Sequence, residues 1–107
     1  MKKSFIWLSF DLGIRGDFEG MYQFLGEHNA KECGDSVGTF WFEYKKDLLA
    51  ELTTRLKNSV KFNKGSRVYV IYLKDVKHVG KFIIGKRRVP PWASYIPSED
   101  QEEDIGE

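Results

Sequence analysis

Two helical stripes interrupt a chain otherwise made of short β-branched and aromatic runs, and that alternation limits the folds open to it. Residues 4–12, Ser-Phe-Ile-Trp-Leu-Ser-Phe-Asp-Leu, predict a first strand that stops at Gly13. Ile6, Leu8 and Phe10 share one face of it. Phe5 and Trp7 share the other, so both faces should be at least partly covered, as in a central strand. Asp17 can cap a helix, Glu19 suits its first turn, and Phe18, Met21, Tyr22 and Leu25 recur at helical spacing. Gly20 and Gly26 weaken that helix by about 1 kcal/mol each, so it needs tertiary support before it ends near His28-Asn29.

Ala30–Cys33 has room for a short strand, broken at Gly34-Asp35. Residues 36–44 alternate clearly, with Phe40, Phe42 and Tyr44 on one face and Thr39, Trp41 and Glu43 on the other. Asp47 can cap a second helix whose buried stripe is Leu49, Leu52, Leu56 and Val60, and Asn63-Lys64-Gly65 reads as a turn. Arg67–Leu73 is the most strand-like segment, and the short connection Lys74–Lys77 predicts a hairpin into His78–Ile84, ended by Gly85. The order is strand, helix, one or two strands, helix, strand, strand. It predicts an α+β ferredoxin-like plait: an antiparallel sheet of four to five strands, the last one an addition, with both helices on one face.

A chain of 107 residues has the length of one domain, and a domain of this size buries roughly two-thirds of its unfolded surface. Eight Phe, five Tyr and three Trp exclude a disordered polymer. The single cysteine, Cys33, excludes an internal disulfide and a thiolate zinc site within one chain; with only Glu32 beside it, a half-buried, inert thiol is expected. No apolar run reaches the ~18–20 residues needed to span a bilayer, and Phe5–Phe10 is too short for a signal sequence. The expectation is a cytoplasmic domain with no membrane partner.

The formal net charge of +1 hides two regions of opposite sign. Six of the sixteen acidic side chains fall within residues 98–107, which leaves seventeen basic against ten acidic in residues 1–97, a net of +7. Residues 1–97 are expected to form the domain, ending in a Pro-rich basic elbow, and 98–107 a disordered acidic tail. Lys81, Lys86, Arg87 and Arg88 crowd the stretch before Pro90-Pro91-Trp92. Such cations neutralise phosphates, and an exposed Trp92 or Tyr95 stacks on bases; the alternative is a lysine-guarded edge strand with Trp92 folded onto the core.

The phosphate-cradle, hydrolase-elbow and metalloprotease motifs are absent, and Gly13-Ile14-Arg15-Gly16 lacks the third glycine of a nucleotide loop. No small-molecule cofactor is implied. His28 and His78 have no sequence partner and are expected to be solvated, and Ser36 has no candidate base. Asp11, at the carboxyl end of an apolar strand, has two readings. It can hold Mg²⁺ as one ligand among waters, or bond to the backbone around Gly13, the commoner role of a turn aspartate.

Leu8-Ser9-Phe10-Asp11, the helix with Tyr22 and Leu25, Ser36-Val37 leading into Phe40-Trp41-Phe42-Glu43, the leucine-rich second helix and Arg67–Tyr72 together resemble one known group. It is the small CRISPR-associated protein two family and its plait relatives, the virulence-associated protein D toxins. The resemblance covers about residues 4–85. It implies a homodimer with the strand-1 aspartates of two protomers facing one another, nucleic acid as partner, and in some members Mg²⁺-dependent cleavage. Asp11 then carries over as catalytic metal ligand, and Arg15 stands in a loop where relatives place a basic residue. The Gly34-Asp35 break and the Pro-rich acidic C-terminus depart from the pattern. Two functions are therefore expected: a nucleic-acid-binding dimeric plait, with Mg²⁺-dependent nuclease activity as its enzymatic form, or a non-enzymatic interaction or regulatory module of toxin–antitoxin or mobile-element type.

Overall fold

The computed structural model describes residues 1–97; the expected acidic tail lies outside the described residues. Its elements run β1 Lys2–Asp11, α1 Phe18–Glu27, β2 Lys31–Glu32, β3 Val37–Tyr44, α2 Leu48–Ser59, β4 Arg67–Lys74 and β5 Lys77–Ile84, with a short 3₁₀ turn at Ala93–Tyr95. The five strands form one antiparallel sheet in the order β2-β3-β1-β4-β5. That is the ferredoxin-like plait with β5 added outside β4, and β1 is its central strand. No described helix is long and apolar enough to cross a membrane.

The core lies on one side of the sheet. Strand alternation turns Ile6, Leu8, Phe10, Phe40, Phe42, Val68, Val70 and Tyr72 toward the helices, where Met21, Phe24, Leu52, Leu56 and Val60 meet them. The α2 stripe is the expected one, with Leu49 half-buried. The α1 stripe is rotated from expectation. Met21 and Phe24 are buried, Leu25 is half-buried, and Phe18 and Tyr22 are exposed. Gly20 explains the rotation, because it faces α2 and a Cβ there would run into the Ser59 carbonyl and the Asp17 carboxylate.

Two carboxylates fix the helix ends. Asp17 accepts from the Gly20 amide through Oδ1 and from the Lys61 amide through Oδ2, both at 2.9 Å, so it caps α1 and ties it to the segment leaving α2. Glu51 accepts from the amides of Lys45, Lys46 and Asp47 at 2.8–2.9 Å, while Asp47 caps Ala50. These backbone bonds favour the charged form and hold both carboxyl groups below their ordinary values of 3.8 and 4.5.

Two histidine and cysteine expectations change. The His28 ring is packed against Phe24, Phe40 and Phe42, with Nδ1 2.8 Å from the Phe24 carbonyl, rather than solvated. It is an aromatic plug for the end of the core. Cys33 is exposed rather than half-buried, because β2 is only two residues long and lies at the sheet margin.

Leu52→Ala should cost ~2–5 kcal/mol in chemical denaturation, since a fully buried leucine leaves a cavity between α2 and the sheet. Because Asp17 and Glu51 have depressed folded-state values, their contribution is fully present above the ordinary carboxylate range and is lost as the pH falls through and below it. Thermal melts from pH 6 to pH 3 should therefore decline less steeply in Asp17→Asn than in the unmodified chain.

Candidate nucleic-acid interface

The sheet face opposite the helices carries no second layer among the described residues. The expected cover for Phe5 and Trp7 is missing: they are 37% and 43% exposed, and Trp41 beside them is 56% exposed. Register explains the grouping. Phe5 pairs with Trp41 across β1 and β3, Trp7 with Ile71 across β1 and β4, Ser9 with Tyr69, and Asp11 with Arg67. Phe5 meets Trp41 at 5.1 Å and Trp7 at 6.4 Å, both edge-on, and Lys3 Nζ lies 5.1 Å from the Trp41 ring. Farther across the face, Tyr69 and Phe82 pair edge-on at 4.8 Å, with the Arg87 guanidinium 5.7 Å from Phe82.

These aromatics lead to a groove of about 380 Å³ lined by Ser9, Asp11, Arg67, Tyr69, Phe82 and Arg87. Arg67 is also the wall of a neighbouring cavity of about 410 Å³ that includes Lys64, Lys86 and Arg88. Arg88 donates to the Gly65 carbonyl, which draws the segment after β5 against the Asn63–Ser66 turn. Gly85, at φ 73°, lets the chain leave β5 close to the Ser66 carbonyl, where a Cβ has no room.

Asp11 is the carboxylate in the groove. Its Oδ2 accepts from Arg67 at 2.8 Å, with Asp11 about half exposed. The Arg67 hydrogen bond and charge hold its carboxyl below the ordinary 3.8, helped by the Gly13 amide and the Arg88 charge and opposed by slight burial. The Gly13 contact is the turn role expected of an aspartate at this place, and Gly13 meets it at φ 73°. Among the described residues no three His, Cys, Asp or Glu side chains lie together as a metal-ligand set.

Of the residues singled out by sequence, Asp11, Arg87, Lys86 and Arg88 converge around Arg67. Arg15, Lys81 and Trp92 line neither cavity. Arg15 is exposed in the β1–α1 loop, and Lys81 pairs with Val70 and so belongs to the helix-side face at the outer edge. Trp92 is exposed in the turn before the 3₁₀ segment, not folded onto the core. Sequence reading missed Arg67, Tyr69 and Trp41 as site residues, since only the register of β1 with its neighbours brings them beside Asp11 and Trp7.

No family model matches the chain, and no curated protein or solved structure shows significant similarity to it.

The Asp11 carboxyl should titrate below 3.8 by NMR, and Arg67→Ala should raise its midpoint by removing the leading cause of the depression. An unchanged midpoint would show that the Gly13 amide and the Arg88 charge, not Arg67, set it.

Proposed function

We propose that the chain binds single-stranded nucleic acid on the open face of its sheet, acting as a homodimer. The supporting observation is the exposed Phe5–Trp7–Trp41 cluster on two central strands, next to a groove walled by Arg67 and Arg87. Flat aromatic rings on a sheet stack on bases, and bases are available for stacking only where they are unpaired. Arginines at the end of such a track neutralise the phosphates that follow the bases. The net +7 of residues 1–97 adds a general attraction for a polyanion.

In this role Asp11 orients Arg67 rather than contacting phosphate, which it would repel. For Mg²⁺ held by Asp11, the donor set among the described residues of one chain does not fit. A single carboxylate with a guanidinium on one of its oxygens offers little to a cation that demands octahedral oxygen ligation. The proposed function is therefore binding, without a hydrolytic step.

Fluorescence anisotropy with labelled single strands and a duplex of equal length tests the proposal. Single strands should bind more tightly, and Trp7→Ala or Trp41→Ala should weaken binding about 5- to 150-fold, corresponding to roughly 1–3 kcal/mol per stacked base. Arg67→Ala should reduce the slope of log affinity against log salt by about 1. Equal affinity for duplex, with no response to either tryptophan, would refute the open face as the binding surface.

A further inference from the structure

A cavity of about 590 Å³ lies where β2 stops. β2 pairs with β3 only at Lys31–Thr39 and Glu32–Gly38, and Asn29, at φ 53°, brings the chain in from the end of α1 just before that pairing begins. Beyond Thr39, residues Phe40–Tyr44 of β3 pair with β1 alone among the described strands. The direction of their backbone groups is fixed by alternation. The Ser36 carbonyl accepts from Phe10 of β1, whereas the Val37 carbonyl accepts from Cys33 on the β2 side. The amides and carbonyls of Trp41 and Glu43 therefore point out of the sheet, along a cavity lined by Lys3, His28, Lys31 and Arg55. Among the described residues it is a stretch of β3 edge with no strand beside it.

We infer that this edge is covered by the same segment of a second copy, β3 pairing antiparallel with the partner's β3 about a twofold axis at Phe42. The inference rests on the homodimeric part of the proposed function and not on its nucleic-acid part. Register selects the occupant. Centring the axis on Phe42 joins Trp41 to the partner's Glu43 and Glu43 to the partner's Trp41, using every outward group. Centring it on Trp41 would drive the partner's Glu43 onto Thr39, which Lys31 already holds. Charge agrees with this choice. Lys3 sits over Trp41, so the partner's Glu43, arriving opposite Trp41, meets a cation on its own protomer and another across the axis. The outer edge of β5 offers no such match, since Lys77 and Lys81 stand on it in both copies.

A twofold perpendicular to the sheet puts both aromatic faces on the same side of one ten-stranded sheet. It also carries the two Asp11 side chains to opposite ends, roughly 50 Å apart at 3.4 Å per residue and 4.8 Å per strand. Facing aspartates, implied by the family resemblance, belong to a different dimer.

Sedimentation velocity of the full chain over 1–200 µM tests the interface, with Glu43→Pro as the probe. Proline removes an outward amide and is tolerated where no inner ladder bond is lost. The unmodified chain should dimerise, and Glu43→Pro should weaken the dimer at least tenfold while binding single strands with unchanged affinity per protomer. Glu43→Lys should also dissociate it, and Lys3→Glu with Glu43→Lys should restore it. A monomer at every concentration overturns the inference. So does a dimer that ignores Glu43→Pro but is broken by Ile71→Asp, which places the interface on the open face. Should Glu43→Pro fail to fold, amide exchange in the unmodified chain decides: Trp41 and Glu43 amides should slow as concentration rises, and exchange independent of concentration refutes the pairing.

Discussion

Two helices of ten and twelve residues, both on one side, can bury only one face of a five-stranded sheet, and the rest of the molecule follows from that geometry. On the helix side, leucines, valines and phenylalanines from every long element meet in a single core. The same strand alternation that sends Ile6, Leu8 and Phe10 inward sends Phe5, Trp7, Ser9 and Asp11 to the other side, where no layer among the described residues covers them. An exposed apolar patch carries a cost in solubility, and the proposed function gives this one a use.

The polar groups divide between holding the fold and furnishing the surface. Asp17 and Glu51 spend their oxygens on backbone amides at helix ends: Asp17 on the first-turn Gly20 amide and the Lys61 amide beyond α2, Glu51 on the amides of the segment entering α2. Asp11 does something different. It holds a side chain, Arg67, beside Arg87 at the end of the aromatic track. The Asp11–Arg67 ion pair, set by the β1–β4 register, thus fixes one of the charges of the groove, and the proposed contact with phosphate depends on that pair.

Much of the fold was legible in the sequence because it rests on local signals. The capping aspartates Asp17 and Asp47, the Leu52–Leu56–Val60 stripe, the alternation of Val37–Tyr44 and the Lys74–Lys77 turn each declare themselves within a few residues. The rotation of α1 was not legible, since Gly20 looks like a weak helix residue until the Ser59 carbonyl is seen against it. The covering of the second sheet face was misread for a related reason. An apolar residue on a strand does not say whether another layer exists. The site was legible in part: Asp11 and the cluster after Gly85 were visible as chemistry, but Arg67 is 56 residues from Asp11 and joins it only through strand pairing. Trp41 was assigned to a face correctly, yet nothing in its neighbours showed that the face would be open.

The most direct measurement uses the three tryptophans as reporters, since each indole N–H gives its own signal in a ¹H–¹⁵N spectrum. Titration of the ¹⁵N-labelled chain with an unlabelled single-stranded oligonucleotide should move the Trp7 and Trp41 indole signals together and leave that of Trp92, outside the sheet, in place. Movement of Trp92 alone, or of none of the three at saturating oligonucleotide, would contradict the open sheet face as the surface this protein uses.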